Sequence, residues 1–151
     1  MAAKSNRTIS KSRSKPAPAK KPVVRRKKLK IAIAGFGTVG RSVAKLLCQE
    51  ASGTFELTHI FNRGITRKKV DWVPASVRWT ESINEVLSSD VDVFVELAGG
   101  VKPAGDWIRK ALRAGKSVVT ANKLLVAESS PELVEVAREA GRRLEFGASV
   151  A

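Results

Sequence analysis

The stretch Lys30-Ile31-Ala32-Ile33-Ala34-Gly35-Phe36-Gly37-Thr38-Val39-Gly40-Arg41 decides how the rest of the chain is read. Ile31–Ala34 is an apolar, β-branched run of strand length. It enters Gly35-x-Gly37-x-x-Gly40 without a spacer, and Val43, Ala44, Leu46 and Leu47 then recur at helical spacing. Strand, glycine turn and helix are in the order of a dinucleotide-binding turn. Gly35 permits the tight turn, Gly37 lets backbone approach a pyrophosphate, and Gly40 lets helix and strand pack closely. The unpaired N–H groups at the helix start then face phosphate charge. A merely tight structural turn would use the same residues, so the surrounding pattern has to carry the distinction.

That pattern alternates. After a break at Ser52-Gly53-Thr54, Phe55–Phe61 reads as a second strand and Asn62–Val77 as a polar, basic loop. Ser82–Leu87 reads as a short helix and Val91–Val95 as a buried strand. Lys102–Ala114 is helical, with Trp107, Ile108, Ala111 and Leu112 on one face and Gly115 placed to end it. Ser117–Thr120 is a strand. Ser130-Pro131-Glu132 has the composition of a helix start, Ser as N-cap and Pro at the first helical position. Leu133, Val134, Val136, Ala137 and Ala140 would form that helix's apolar face, and Arg143–Phe146 a last strand. Alternation of this kind implies an α/β, Rossmann-type fold: a doubly wound parallel sheet covered on both faces.

The length of 151 residues fits one domain with a real core. The net charge of +14 is not spread evenly. Residues 1–30 hold 12 of the 28 Lys and Arg and no acid, so the remainder has 28 − 12 = 16 bases against 14 acids. Residues 1–29 are therefore expected to be a disordered basic tail ahead of a near-neutral domain over 30–151. The tail reads as an arm for nucleic acid, as a transit peptide, or as a solvated extension. The lack of interleaved aromatics favours the last, and Pro-x-Pro spacing speaks against a transit helix. No apolar run approaches a membrane span or a secretory leader, so no membrane partner and a cytoplasmic location are expected. Cys48 is the one cysteine and reads as a small core residue; the one histidine, His59, reads as structural and argues against a His-based triad or multi-His metal site.

Ligands of such sheets sit beyond the carboxyl ends of the strands. Three segments there have unusual content. The glycine turn is the first. The second is Phe61-Asn62-Arg63-Gly64, where an NAD site would place an acid for the ribose 2′-OH. No acid occurs until Asp71, and Arg63 can make a forked contact to a 2′-phosphate. This points to NADP, with NAD possible; Lys68 and Lys69 read as solvating the loop. The third combines Glu96-Leu97-Ala98-Gly99-Gly100 with Thr120-Ala121-Asn122-Lys123. Paired glycines allow close approach of a ligand. Lys123 could hold a substrate carboxylate or move a proton, or be a surface lysine that the helix dipole disfavours. Glu96 reads as a structural carboxylate bonding a neighbouring loop.

Gly35-Phe36-Gly37-Thr38-Val39-Gly40, Glu96-Leu97-Ala98-Gly99-Gly100 and Thr120-Ala121-Asn122-Lys123, in that order and spacing, resemble the amino-terminal domain of homoserine dehydrogenase, over about residues 30–151. The most specific of these is Thr-Ala-Asn-Lys. The resemblance implies NAD(P)-dependent interconversion of L-homoserine and L-aspartate 4-semialdehyde, on the route to threonine and methionine. It places Phe36, Gly37, Thr38 and Val39 at the pyrophosphate, within a cofactor-binding turn that runs from Gly35 to Gly40, Arg63 at the 2′-phosphate, and Ala98, Gly99 and Thr120 near the nicotinamide and its ribose. Lys123 would lie at the nicotinamide–substrate junction as the catalytic candidate. The family's substrate and dimerisation domain, and with it a homo-oligomer, has no counterpart here, so catalysis by this chain alone is not expected. Gly147 stands where the family usually has a cation-binding Glu, so no metal site is expected, although the Val150 carbonyl remains. Competing readings are the nucleotide domain of another amino-acid or semialdehyde dehydrogenase, and a stand-alone nucleotide-binding regulatory module.

Overall fold

A computed structural model describes residues 27–147. Most of the basic tail, and Val150 with it, lies outside the described residues. The elements are β1 (Leu29–Ala34), α1 (Thr38–Gln49), β2 (Phe55–Phe61), a 3-10 turn (Ile65–Arg67), β3 (Arg78–Thr80), α2 (Ile83–Ser88), β4 (Val93–Glu96), α3 (Ala104–Arg113), β5 (Ser117–Thr120), α4 (Lys123–Glu139) and β6 (Leu144–Phe146). The six strands form one sheet in the order β3-β2-β1-β4-β5-β6, every pair parallel. The order reverses direction at β1, between β2 and β4, which is the switch point where such sheets bind ligands.

Topology also decides which face each helix covers. From β1 the chain steps outward to β2 and β3; it then returns to β4 and steps the other way to β5 and β6. Right-handed crossovers in opposite directions put their connections on opposite faces. Accordingly Ile31, Ile33, Leu57, Ile60 and Val95 pack with Ala44 and Leu47 of α1 and with Val73 and Val77 of the β2–β3 segment. Ala32, Ala34, Phe94 and Val118 pack beneath Val86 and Leu87 of α2, Trp107, Ile108, Ala111 and Leu112 of α3, and Leu133, Val136 and Ala137 of α4. Each large apolar side chain so buried contributes about 1.5–3 kcal/mol. The face on the α1 side is thus covered only over β1–β3. Beyond it, Val93, Val95, Leu97 and Val119 line an open apolar groove of about 940 Å³.

Several expectations need correction. Strand β1 begins at Leu29. Strand β3 was hidden because its three residues, Arg78-Trp79-Thr80, are too few to show a period. Leu46 and Val134 are 48% exposed and belong to no core, since the buried stripe of α1 runs through Gly40, Ala44 and Leu47. Helix α4 begins seven residues before Ser130, at Lys123, and carries Pro131 in its interior. Asn122 is its N-cap, the Oδ1 accepting a hydrogen bond from the Leu125 N–H at 3.1 Å. Leu125, 1% exposed, anchors this extra turn in the core.

Candidate functional site

The glycine turn joins β1 to α1 at the switch point. Gly35 has φ +106°, and a Cβ there would lie 2.6 Å from the Leu97 carbonyl carbon. A Cβ on Gly40 would lie 2.0 Å from the Gly35 oxygen. Both glycines are therefore required by the fold itself. Gly37 is different: a Cβ there would meet no protein atom within 4 Å. It faces the open cleft, so any need for glycine at this position comes from what enters the cleft. Gly37 is the N-cap of α1 and offers no side-chain cap. The Gly37, Thr38 and Val39 amides have no backbone partner among the described residues, the first turn closing with the Arg41 N–H donating to the Gly37 oxygen at 2.9 Å. These free N–H groups and the positive end of the helix dipole suit a phosphate.

Phe36 does something else. Its ring is fully buried, 4.7 Å edge-on to Trp79 and 6.1 Å from Trp72, with the Arg41 guanidinium over it at 5.8 Å. Its N–H donates to Asn62 Oδ1 at 2.9 Å, so that amide is already taken. Asn62 was not among the expected site residues. The signal was its place at the end of β2, beside the turn: it ties the turn to the β2–β3 segment. That segment is held further by the Ile65 N–H donating to Glu81 Oε1 at 2.9 Å.

Between the turn and the loop after β4 lies a cleft of about 360 Å³. Gly35, Phe36, Gly37, Arg63, Ala98 and Gly99 line it, all expected site residues. Lys68, read from sequence as a loop-solvating residue, lines it too, as does Lys102 from the β4–α3 segment. Phe61 and Trp107 close its base, their rings edge to face at 5.1 Å. No Asp or Glu lines this cleft. Neither Arg63, Lys68 nor Lys102 makes an ion pair among the described residues.

On the other side of the turn, Val39, Leu97, Gly99, Ala121 and Asn122 bound a smaller pocket of about 140 Å³. Thr120 and Lys123 lie beyond it, along the apolar groove. Gly99 is shared with the first cleft, so cleft and small pocket adjoin at the carboxyl ends of the strands, and Leu97 and Ala121 connect the small pocket to the groove along the open sheet face. Thr38 and Gly40 line none of them. Lys123 is an exposed residue in the first turn of α4.

The floor under this path is a polar cluster. Glu96, fully buried, accepts hydrogen bonds from the Ala98 N–H (2.8 Å) and the Gly99 N–H (3.2 Å) on Oε1, and from the Thr120 hydroxyl (2.7 Å) on Oε2. The Thr120 oxygen in turn accepts from the Asn122 N–H at 3.1 Å. Asn122 Nδ2 donates to the Gly100 carbonyl. One carboxylate thus fixes the β4 exit loop, the end of β5 and the cap of α4 together. Gly99 and Gly100, at φ +74° and +76°, supply the left-handed turn that lets the loop fold back onto it. The Thr120 hydroxyl donates to Glu96 and accepts from the Asn122 N–H, so its side chain holds the floor.

Other titratable groups stand apart from this region. Burial pushes the Cys48 thiol up and the His59 imidazole down; the His59 Nδ1 lies 2.9 Å from the Thr58 hydroxyl within β2. Among the described residues no three His, Cys, Asp or Glu side chains come together to hold a metal, and no helix is long and apolar enough to cross a membrane.

A sequence profile described as "Homoserine dehydrogenase, NAD binding domain" matches residues 35–147. Homoserine dehydrogenase of Corynebacterium glutamicum is 38% identical over 128 residues, covering 80% of this chain and 28% of that protein. The Bacillus subtilis enzyme is 33% identical over 132 residues, covering 83% and 30%. A crystal structure of Staphylococcus aureus homoserine dehydrogenase superposes with a TM-score of 0.73 at 39% identity, over 83% of this chain and 33% of that one. The chain therefore spans about a third or less of the relatives it matches. The family match, which spans both the glycine turn and the Asn-Lys segment, assigns this chain to the NAD-binding domain family of homoserine dehydrogenases.

Proposed function

We propose that this chain is the cofactor-holding part of a homoserine dehydrogenase and takes NADP in preference to NAD. The observation that carries the preference is the charge of the cleft. Arg63 and Lys68 line it from the β2–β3 segment, where an NAD site would have an acid for the ribose hydroxyls. NADP differs from NAD by one 2′-phosphate, and a guanidinium meets a phosphate with two parallel, charge-assisted hydrogen bonds.

The chain's residues divide the work. The free amides of the α1 N-terminus would take the pyrophosphate, which Gly37 lets come close. The Phe61–Trp107 base would receive the adenine. Ala98 and Gly99, fixed by Glu96, would position the nicotinamide end over the small pocket. The bound nicotinamide supplies the hydride exchange that interconverts homoserine and aspartate 4-semialdehyde. Lys123, at the end of the path, would hold the substrate's carboxylate or move the proton of its oxygen. This reaction belongs to the whole protein of the family and comes to this chain by membership.

The experiment is titration with NADPH and NADH, followed by quenching of Trp107 and Trp72 fluorescence. The expected result is tighter binding of NADPH by about tenfold or more, erased by Arg63→Ala. Equal affinities in the unmutated chain would overturn the NADP reading.

A further inference from the structure

Lys102 has no part in the reading above. It sits one residue before Pro103, the N-cap of α3, in the segment that leaves β4; β1 with its glycine turn lies between β4 and β2 in the sheet, so this segment and the β2–β3 segment flank the cleft. It is exposed, with no hydrogen-bond or ion-pair partner among the described residues. Two cations elsewhere show what partnering looks like in this molecule: Arg109 binds Glu132 through two hydrogen bonds of 2.7 and 2.8 Å, and Arg138 pairs with Glu135. The cleft thus has a cation on each wall and no carboxylate between them. Like charges converging on one void repel each other unless an anion enters.

Resting on the NADP reading, we propose that Lys102 is a specificity-determining residue that closes on the 2′-phosphate from the wall opposite Arg63. The pyrophosphate is provided for by the α1 amides, which lie at the glycine turn. Lys102 shares its side of the cleft with Pro103 and Trp107, the aromatic end where an adenine would lodge. A phosphate on the adenosine ribose would come between Lys102 and Arg63, with its two charges matched by one cation from each wall. A single ammonium can meet such a phosphate as a point charge without fixed angular demands, which suits a long side chain at the rim. NAD, lacking that phosphate, would leave the two cations facing each other without a counter-charge.

The test compares Lys102→Gln, Lys102→Arg and the unmutated chain by titration with NADPH, NADH, adenosine 2′,5′-bisphosphate and AMP. The expected result is a loss of about tenfold in affinity for NADPH and the bisphosphate in Lys102→Gln. NADH and AMP should stay within about twofold, and Lys102→Arg should restore the difference. Melting temperature should not move, since the side chain is exposed and makes no hydrogen bond or ion pair among the described residues. An equal loss for all four ligands would place Lys102 on the phosphates common to them and overturn the inference. So would no loss for any. If Arg63→Ala erases the NADPH preference while Lys102→Gln leaves it intact, the assignment of Lys102 fails and the NADP reading stands. If the unmutated chain shows no preference at all, both fail.

Discussion

The two ends of the sheet carry charge in opposite ways. At the amino ends of β1, β4 and β5 the charges are partnered. The Lys30 N–H donates to Asp92 Oδ2 at 2.8 Å, the Lys30 ammonium pairs with Asp90, and the Lys116 ammonium donates to the Ser89 carbonyl at 2.5 Å. At the carboxyl ends Arg63, Lys68, Lys102 and Lys123 have no ion-pair partner among the described residues, and the first amides of α1 have no acceptor. The carboxylate beneath them, Glu96, is turned inward and spent on backbone. The contrast teaches that at these strand ends the partnered polar groups hold the fold, while the unpartnered ones that line the cleft are available to a ligand. Substitutions at the amino end should change stability without changing binding, and at the carboxyl end the reverse.

The largest effects should come from within the glycine turn, where both behaviours occur three residues apart. Gly40→Ala forces a Cβ onto the Gly35 carbonyl, at 2.0 Å in the present geometry. The turn must open, and a loss of about 3 kcal/mol or more is expected in urea unfolding. Gly37→Asp puts a carboxylate into open space at an N-cap, where it can accept from the free amides and favour the dipole. Stability should rise by up to about 1 kcal/mol. NADPH affinity should fall by about a hundredfold or more, because the carboxylate occupies and repels the phosphate position. Gly37→Asp with undiminished NADPH binding would remove the phosphate from this turn.

Much of this was legible because it is local. The glycine spacing, the clean run Phe55–Phe61 and the four-residue strand Ser117–Thr120 appear in the structure with the bounds read from sequence. What stayed hidden depends on contacts between distant residues. Arg78–Thr80 becomes a strand only by pairing with His59–Phe61. Ser130-Pro131-Glu132 has every local mark of a helix start, yet burial of Leu125 and the cap by Asn122 begin the helix a full two turns earlier, and Pro131 is carried inside it. The site divides the same way. Arg63 was readable from its offset after the glycines, whereas Lys68 and Lys102 enter only because a loop held by Phe36, Trp72 and Trp79 and a loop held by Glu96 bring them to one cleft.

Glu96 sharpens the comparison as the exception, an acid at the carboxyl end that behaves like the amino-end charges. Glu96→Ala would strip acceptors from the Ala98 and Gly99 amides and from the Thr120 hydroxyl at once. The expected cost is about 2–4 kcal/mol in urea unfolding, because the buried Thr120 hydroxyl and the part-buried Ala98 and Gly99 amides lose their partner and a cavity opens. NADPH binding by the fraction that remains folded should weaken as well, since the loop that bounds both cleft and small pocket is released. A variant as stable as the unmutated chain would show that the floor is held by something other than this carboxylate.

The smallest effect expected is at Lys116, the amino-end cation that is only 4% exposed. Burial pushes its ammonium below the ordinary lysine value of 10.5, against a weaker upward pull from Asp90 and Asp92. Its hydrogen bonds to the Ser89 and Val91 carbonyls and the cost of burying its charge oppose each other. Lys116→Met should therefore change stability at pH 7 by no more than about 1 kcal/mol. The pH dependence is more telling than the size. Just below pH 10.5 the unfolded chain holds a proton on this lysine that the folded chain has begun to release. The unfolded state then binds more protons, so the unmutated chain gains stability as pH rises through that alkaline window. Lys116→Met lacks this gain, so the difference between the two should shift toward the unmutated chain as pH rises toward 10.5. NADPH affinity should be the same in both at every pH, because this end of the sheet holds no part of the cleft. A flat stability difference would mean that the lysine is not buried as a charge, and a change in NADPH affinity would mean that the two ends of the sheet are not independent.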